Sequence, residues 1–215
     1  METRERLVIF DVDGTLYRAE LISFPAYRQL AGEFGFVEPS EALMRTFFGE
    51  TFQVIAGKLG LPADPELRAA FVRRIEQVEY DLIEPCGALF DGVYEQLLRL
   101  YNEGYTLALC SMGLLSYVER VMECTGIGRL ISAYRVDDGA HTKSEMCAGL
   151  LSELPHRQAV FVGDRRHDRS AAADNGIGFV GCTYGFVPEE VADAPVTAAE
   201  PGELYERILE AFSRL

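Results

Sequence analysis

Asp11-Val12-Asp13-Gly14 directly follows the apolar run Leu7–Phe10. A continuous run of this kind reads as a buried strand of a parallel sheet that breaks at a glycine turn. Side chains two apart on a strand project to the same side, so Asp11 and Asp13 bring two carboxylates to the sheet's C-terminal edge. Ligands bind at that edge in open parallel sheets. A pair of turn-capping aspartates before Gly14 accounts for the same residues, and the pair alone leaves both readings open.

The pattern recurs at Val160-Phe161-Val162-Gly163-Asp164, with Asp168 four residues further on. Three or four carboxylates at one sheet edge repel one another unless a cation neutralises them. A hard divalent cation with oxygen ligands does so, and magnesium suits a site that also holds a phosphate. A helix N-cap by Asp168 with Asp164 in a turn explains either acid singly, but the repetition of the pattern less well.

Two weaker signals fall between these acids. Leu107–Cys110 runs into Ser111-Met112-Gly113 ahead of a helical pattern. A hydroxyl and free N–H groups at a helix start favour a phosphate, although serine is also an ordinary N-cap. Lys143 is one of only two lysines, with Lys58, in a chain that otherwise uses arginine. An ammonium at a helix start opposes the helix dipole and calls for a local anion, the alternative being a solvated surface lysine.

The elements that must position these residues alternate. Asp91–Glu103 predicts an amphipathic helix closed by Gly104, Tyr105–Cys110 a strand and Leu114–Cys124 a helix. Leu130–Val136 predicts a strand, Ser144–Glu153 a helix and Ala159–Val162 a strand. Arg169–Asn175 predicts a short helix, Ile177–Gly181 a strand and Glu203–Leu215 a closing helix. Such alternation implies an α/β fold with a Rossmann-like parallel sheet. Between the first two strands, Ile22–Leu82 reads as three or four helices, broken at Glu38-Pro39-Ser40 and at Leu61–Pro65. We therefore expect an α/β core of residues 1–16 and 86–215, and an inserted α-helical domain of residues 17–85.

A chain of 215 residues with 48% hydrophobic and 25% charged residues is that of an ordinary globular protein. Twenty basic against 34 acidic residues leave a net charge of −14, with no basic run. Nucleic acid and anionic membrane surfaces are therefore not expected partners. The five cysteines are scattered without metal-binding spacing and read as reduced, mostly buried thiols. The polar start, and the absence of any long apolar run, lead us to expect a soluble cytoplasmic protein.

Taken in order, these segments resemble the four motifs of the haloacid dehalogenase superfamily. Asp11-Val12-Asp13-Gly14-Thr15-Leu16 is similar to its DxDGT[LV] motif, Ser111 to its second-motif hydroxyl residue, and Lys143 to its third-motif lysine. Gly163-Asp164 with Asp168 is similar to its GDxxxD motif. The helical stretch sits where the superfamily's C1-type cap lies, which brings the chain near phosphoglycolate phosphatase-like members. The resemblance implies a magnesium-dependent phosphatase acting on a small phosphorylated metabolite.

In that implied scheme Asp11 attacks phosphorus, and Asp13 serves as general acid and then general base. Magnesium is held by Asp11, the Asp13 backbone carbonyl and Asp164. Thr15, Ser111, Met112 and Lys143 bind the phosphoryl group, and Asp168 orients Lys143 or a metal-bound water. Dehalogenases lack an acid at position 13, because a carbon–halogen bond needs no proton donor. Thr15 leans toward phosphatase, since β-phosphoglucomutase-like relatives commonly carry valine or alanine there. A phosphomutase or a non-catalytic binding protein remains as the alternative. Tyr17, Arg18, Arg45 and Lys58 are candidate specificity residues, equally consistent with ordinary surface roles. Arg165, which departs from the motif's usual threonine or serine, reaches a substrate phosphate or pairs with an acid on its helix.

Overall fold

The computed structural model describes residues 5–215, so Met1–Arg4 of the expected core segment lie outside the described residues. Six parallel strands form one sheet: β1 (Arg6–Phe10), β2 (Thr106–Cys110), β3 (Ala133–Arg135), β4 (Gln158–Gly163), β5 (Gly178–Cys182) and β6 (Thr197–Ala198). Their spatial order is β3-β2-β1-β4-β5-β6. The chain works outward from β1 on one side and resumes at β4 on the other. Adjacent β1 and β4 therefore form the topological switch point, where a crevice opens beyond the strand ends.

Strand alternation sorts the core into two layers. Val8 and Phe10 of β1 join the larger cluster, with α5 (Val93–Asn102), α6 (Leu115–Thr125) and α9 (Leu204–Ser213). Leu7 and Ile9 face Met146, Cys147 and Leu150 of α7 (Lys143–Glu153), and Ala171 and Ala172 of α8 (Arg166–Asp174). With both faces covered, the strands need continuous apolar runs, which is how Leu7–Phe10 and Ala159–Val162 read in sequence.

Between β1 and α5 the chain is helical: α1 (Glu20–Phe34), α2 (Glu41–Arg45), α3 (Phe52–Lys58) and α4 (Pro65–Cys86). The expected breaks carry the caps. Ser40 accepts from the Leu43 amide at 3.2 Å, and Asp64 accepts from the Leu67 amide at 2.8 Å with Pro65 in the first turn. The two chain crossings run side by side. Arg18 N–H donates to the Ala88 carbonyl at 2.9 Å, and Phe90 N–H to the Leu16 carbonyl at 3.0 Å.

Several boundaries differ from the sequence reading. The expected strand Leu130–Val136 shortens to β3, because Ile127–Leu130 winds into a 3-10 turn that buries Ile127 and Leu130. Helix α8 begins three residues earlier than expected, since the Asp168 carboxylate folds back to accept from the Arg165 amide at 2.9 Å. Gly104 lies one residue beyond the Glu103 cap of α5. Edge strand β6 was not foreseen, because two residues are too short to show a period. All five cysteines are free, with Cys110, Cys147 and Cys182 buried and Cys86 and Cys124 exposed. No helix among the described residues is long and apolar enough to cross a membrane.

Candidate active site

The acids meet where β1 and β4 end. The Asp11 amide donates to the Val162 carbonyl at 2.9 Å, which sets the two strand ends level. Oxygen atoms of Asp11, Asp164 and Asp168 lie within 4.8 Å of one another, and all three residues are buried. Two glycines allow this approach. Gly14 adopts φ +80°, and a Cβ there would collide with the Asp164 carboxylate. A Cβ at Gly163 would likewise strike Asp168.

Lys143 is the cation inside the cluster. Its ammonium donates to Asp11 Oδ1 at 2.6 Å and ion-pairs with Asp168 Oδ1 at 2.5 Å. It stands at the first turn of α7 because Thr142 and Glu145 form a reciprocal capping box. Burial alone would lower the ammonium's pKa, but Asp11 and Asp168 outweigh it and hold it above the usual lysine range. One lysine does not balance three carboxylates. Burial, with Asp168 opposing Lys143, pushes the Asp11 carboxyl up to about 6. Burial and the neighbouring Asp11 and Asp168 push Asp164 well above the carboxylate range.

This donor set fits a hard divalent cation. Asp164 Oδ2 accepts from the Phe186 amide at 2.7 Å, while Asp164 Oδ1 is buried without a hydrogen-bond partner among the described residues. A buried, unsatisfied carboxylate oxygen is costly and calls for a compensating group. Both Asp168 oxygens are already engaged, by Lys143 and the Arg165 amide. Asp11 and Asp164 are therefore the side chains best able to hold the ion.

Asp13 stands apart from the buried cluster and lines a cleft between the sheet edge and the helical insertion. Tyr117 donates to Asp13 Oδ1 at 2.6 Å. Burial and the neighbouring Asp11 raise the Asp13 carboxyl to about 7, against the lowering effect of Tyr117. Asp11, Met112, Gly113 and Tyr117 share the same cleft. Ser111 is buried; its amide donates to the Arg135 carbonyl at 3.0 Å, and its Oγ accepts from Gly113 N–H at 3.0 Å. Two of the amides expected to be free for a ligand are thus already used, one by β3 and one within the loop. Thr15 is buried under the Val12–Tyr17 turn, with its hydroxyl unpartnered among the described residues.

Comparison with known proteins matches residues 8–182 to the haloacid dehalogenase-like hydrolase family. The probable phosphatase IndB of Dickeya dadantii is 30% identical over 97% of this chain and 91% of its own length. A phosphoglycolate phosphatase of Vibrio cholerae is 29% identical over 91% of this chain and 90% of its own. The crystal structure of a predicted phosphoglycolate phosphatase from Haemophilus somnus superposes with a TM-score of 0.85 at 21% identity, covering 95% of this chain and 98% of that one. The chain belongs to the haloacid dehalogenase-like hydrolases.

Within this hydrolase the specificity candidates fall elsewhere than expected. Arg18 and Arg45 line a separate groove with Phe90, Tyr184 and Glu200; Arg18 pairs with Glu20 at 3.0 Å. Lys58 donates to the Thr46 carbonyl at 2.8 Å and lies 3.7 Å from Glu50. Tyr17 is wholly buried, edge-on to Tyr117. Arg165 is also buried and does not line the cleft of Asp11 and Asp13. It donates through Nε to Glu190 at 2.9 Å and through Nη1 to the Phe48 carbonyl. Its acid is thus Glu190, from a 3-10 turn (Pro188–Glu190), and not one on its own helix. Phe48 stacks on Phe186 at 3.7 Å between centroids, and Arg166 pairs with Glu50 at 2.7 Å. These contacts fasten the insertion to the core beside the acids.

Sequence reading missed Tyr117, Glu79 and Glu190. Glu79 carried a signal, since Phe71, Ile75 and Glu79 are successive i+4 positions and put a carboxylate on the apolar stripe of α4. Tyr117 and Glu190 carried none, because each is defined by a partner far away in sequence.

Proposed function

We propose that this hydrolase is a magnesium-dependent phosphatase for small phosphate monoesters, working through a phosphorylated Asp11. The observation that carries the reading is that Asp11 and Asp13 open into one cleft, with a lysine fixed on the first and a tyrosine on the second.

Asp11 is the nucleophile. One of its carboxylate oxygens forms a bond to phosphorus as the ester's P–O bond breaks. Asp13, protonated, gives its proton to the departing alkoxide oxygen. In the second half Asp13 takes a proton from water as that water attacks the phosphorus, the P–O bond to Asp11 breaks, and inorganic phosphate leaves. A carboxyl raised to about 7 is matched to both tasks near neutral pH. Lys143 and the Ser111 hydroxyl hydrogen bind the phosphoryl oxygens, and Asp168 keeps Lys143 aimed at Asp11. Asp11 and Asp164, with the Asp13 carbonyl, would hold the divalent ion, which when bound would supply positive charge against the anionic group. The insertion of residues 17–85 acts as the cap that keeps bulk water from the phosphorylated carboxylate.

The test is phosphate release from a panel of small phosphate esters, with Mg²⁺ and with EDTA. We expect metal-dependent hydrolysis that falls to the detection limit in Asp11→Asn. Hydrolysis retained by Asp11→Asn, or phosphorylated product in excess of released phosphate, would overturn the reading.

A further inference from the structure

The leaving group of the ester must lie in the cleft that Asp11 and Asp13 share, so the rest of the cleft's lining selects it. No lysine or arginine lines that cleft among the described residues. Glu76 and Glu79, one turn apart on α4, do line it, as do Glu50 and Asp137. Glu50 is compensated by Arg166 at 2.7 Å and Lys58 at 3.7 Å, and Asp137 accepts from the Gly139 amide at 2.9 Å. Glu79 is different. It accepts one hydrogen bond, from the buried Ser23 hydroxyl at 2.6 Å, and burial, with no cation among the described residues to ease it, pushes its carboxyl up to about 7. Glu76 is eased only by Arg73, which points out to solvent on the same helix.

Much of the remaining wall is aromatic, including Tyr27, Phe52 and Tyr117, beside Ile55, Met112 and Leu114. Aromatic faces attract cations and carboxylates repel anions, so two independent features of one wall select the same charge. The acids carry weight here because they face the reacting carboxylates across one cleft. A carboxylate-bearing leaving group would enter it opposite Glu76 and Glu79 with no basic side chain to meet it.

Resting on the phosphatase reading, we propose that the preferred ester carries a cationic nitrogen on its leaving group, received by Glu79 and Glu76 between aromatic rings. Esters with a carboxylate there, phosphoglycolate among them, are poor substrates despite the names of the relatives.

The experiment uses three esters on the same two-carbon skeleton: phosphoethanolamine, 2-hydroxyethyl phosphate and 2-phosphoglycolate, with p-nitrophenyl phosphate as a generic ester. We expect kcat/KM to fall in that order across the three, by about tenfold or more from first to last, since like charges placed together are strongly disfavoured. In Glu79→Gln the ratio narrows from both ends, with phosphoethanolamine slower and phosphoglycolate faster. A crossing of that kind cannot come from loss of fold, and Glu76→Gln at a partly exposed position repeats it more weakly. Phosphoglycolate turned over as fast as phosphoethanolamine, or a ratio unmoved by both variants, would overturn the proposal while p-nitrophenyl phosphate hydrolysis left the phosphatase reading standing. Silence on all four esters with Mg²⁺ would overturn both together.

Discussion

Two groups of carboxylates reach the cleft, one through Asp11 at the strand ends and the other through Glu76 and Glu79 of α4, and the chain treats them differently. Asp11, Asp164 and Asp168 at the strand ends are buried, packed against glycines, and given Lys143 as a partner. Glu76 and Glu79 on α4 are partly exposed and have no lysine or arginine in the cleft with them. The first group has its charge managed from within, down to Asp164 Oδ1, which among the described residues has neither a hydrogen bond nor an ion pair and suits a metal ion. The second leaves its charge open to whatever enters. In the roles proposed above, chemistry and selectivity rest on the same residue type, separated by what each carboxylate is given to pair with.

The largest effect that sharpens this contrast is at Asp13, which borders both groups. Asp13→Asn should lower kcat roughly a hundred- to ten-thousand-fold, the range for removing a general acid–base, with Mg²⁺ affinity kept, as stopped assays and calorimetry would show. Next comes Arg165, which ties the insertion to the core through Phe48 and Glu190. Arg165→Met should cost about 3 kcal/mol in denaturant unfolding, because a buried ion pair is broken and a carbonyl loses its donor. An unchanged midpoint would mean that the two regions are not held together there.

A third test separates the groups by pH. Asp11 is raised to about 6 and Asp13 to about 7, against about 4 for an unfolded aspartate. The folded state therefore holds more protons than the unfolded chain between these values, and stability falls as pH rises through that window. Metal-free protein should melt lower at pH 8 than at pH 5, and Mg²⁺ should restore the loss at pH 8. Asp164→Asn should raise the metal-free melting temperature at pH 8 by removing a buried carboxyl that folding forces to stay protonated, and abolish the gain from Mg²⁺. A flat metal-free profile would break the claim that the cluster is under-neutralised.

The smallest effect is at Tyr117. Its hydrogen bond holds the Asp13 carboxyl below where burial would put it, so Tyr117→Phe should move the alkaline limb of the pH–rate profile upward. The accompanying loss in kcat should be roughly fivefold, equivalent to about 1 kcal/mol for one hydrogen bond.

The sequence by itself determined the parallel sheet, the place of the helical insertion, and the identity of the acids at the strand ends. Those features are local: an apolar run, a glycine turn and a carboxylate sit within ten residues of one another at Leu7–Gly14 and at Ala159–Asp168. The breaks at Glu38–Ser40 and Leu61–Pro65 likewise marked where helices begin. What only the tertiary structure decided is which side chains meet across long separations. Arg165 reaches Phe48 and Glu190, Tyr117 reaches Asp13, and Glu79 comes to face Asp13 across the cleft. Arg18, Arg45 and Lys58 were chosen as cations near the insertion, yet the packing of α1–α4 turns each of them away from the cleft. Residue type and periodicity fix what a segment is, but charge pairing depends on distances of a few ångströms between segments that sequence order does not encode.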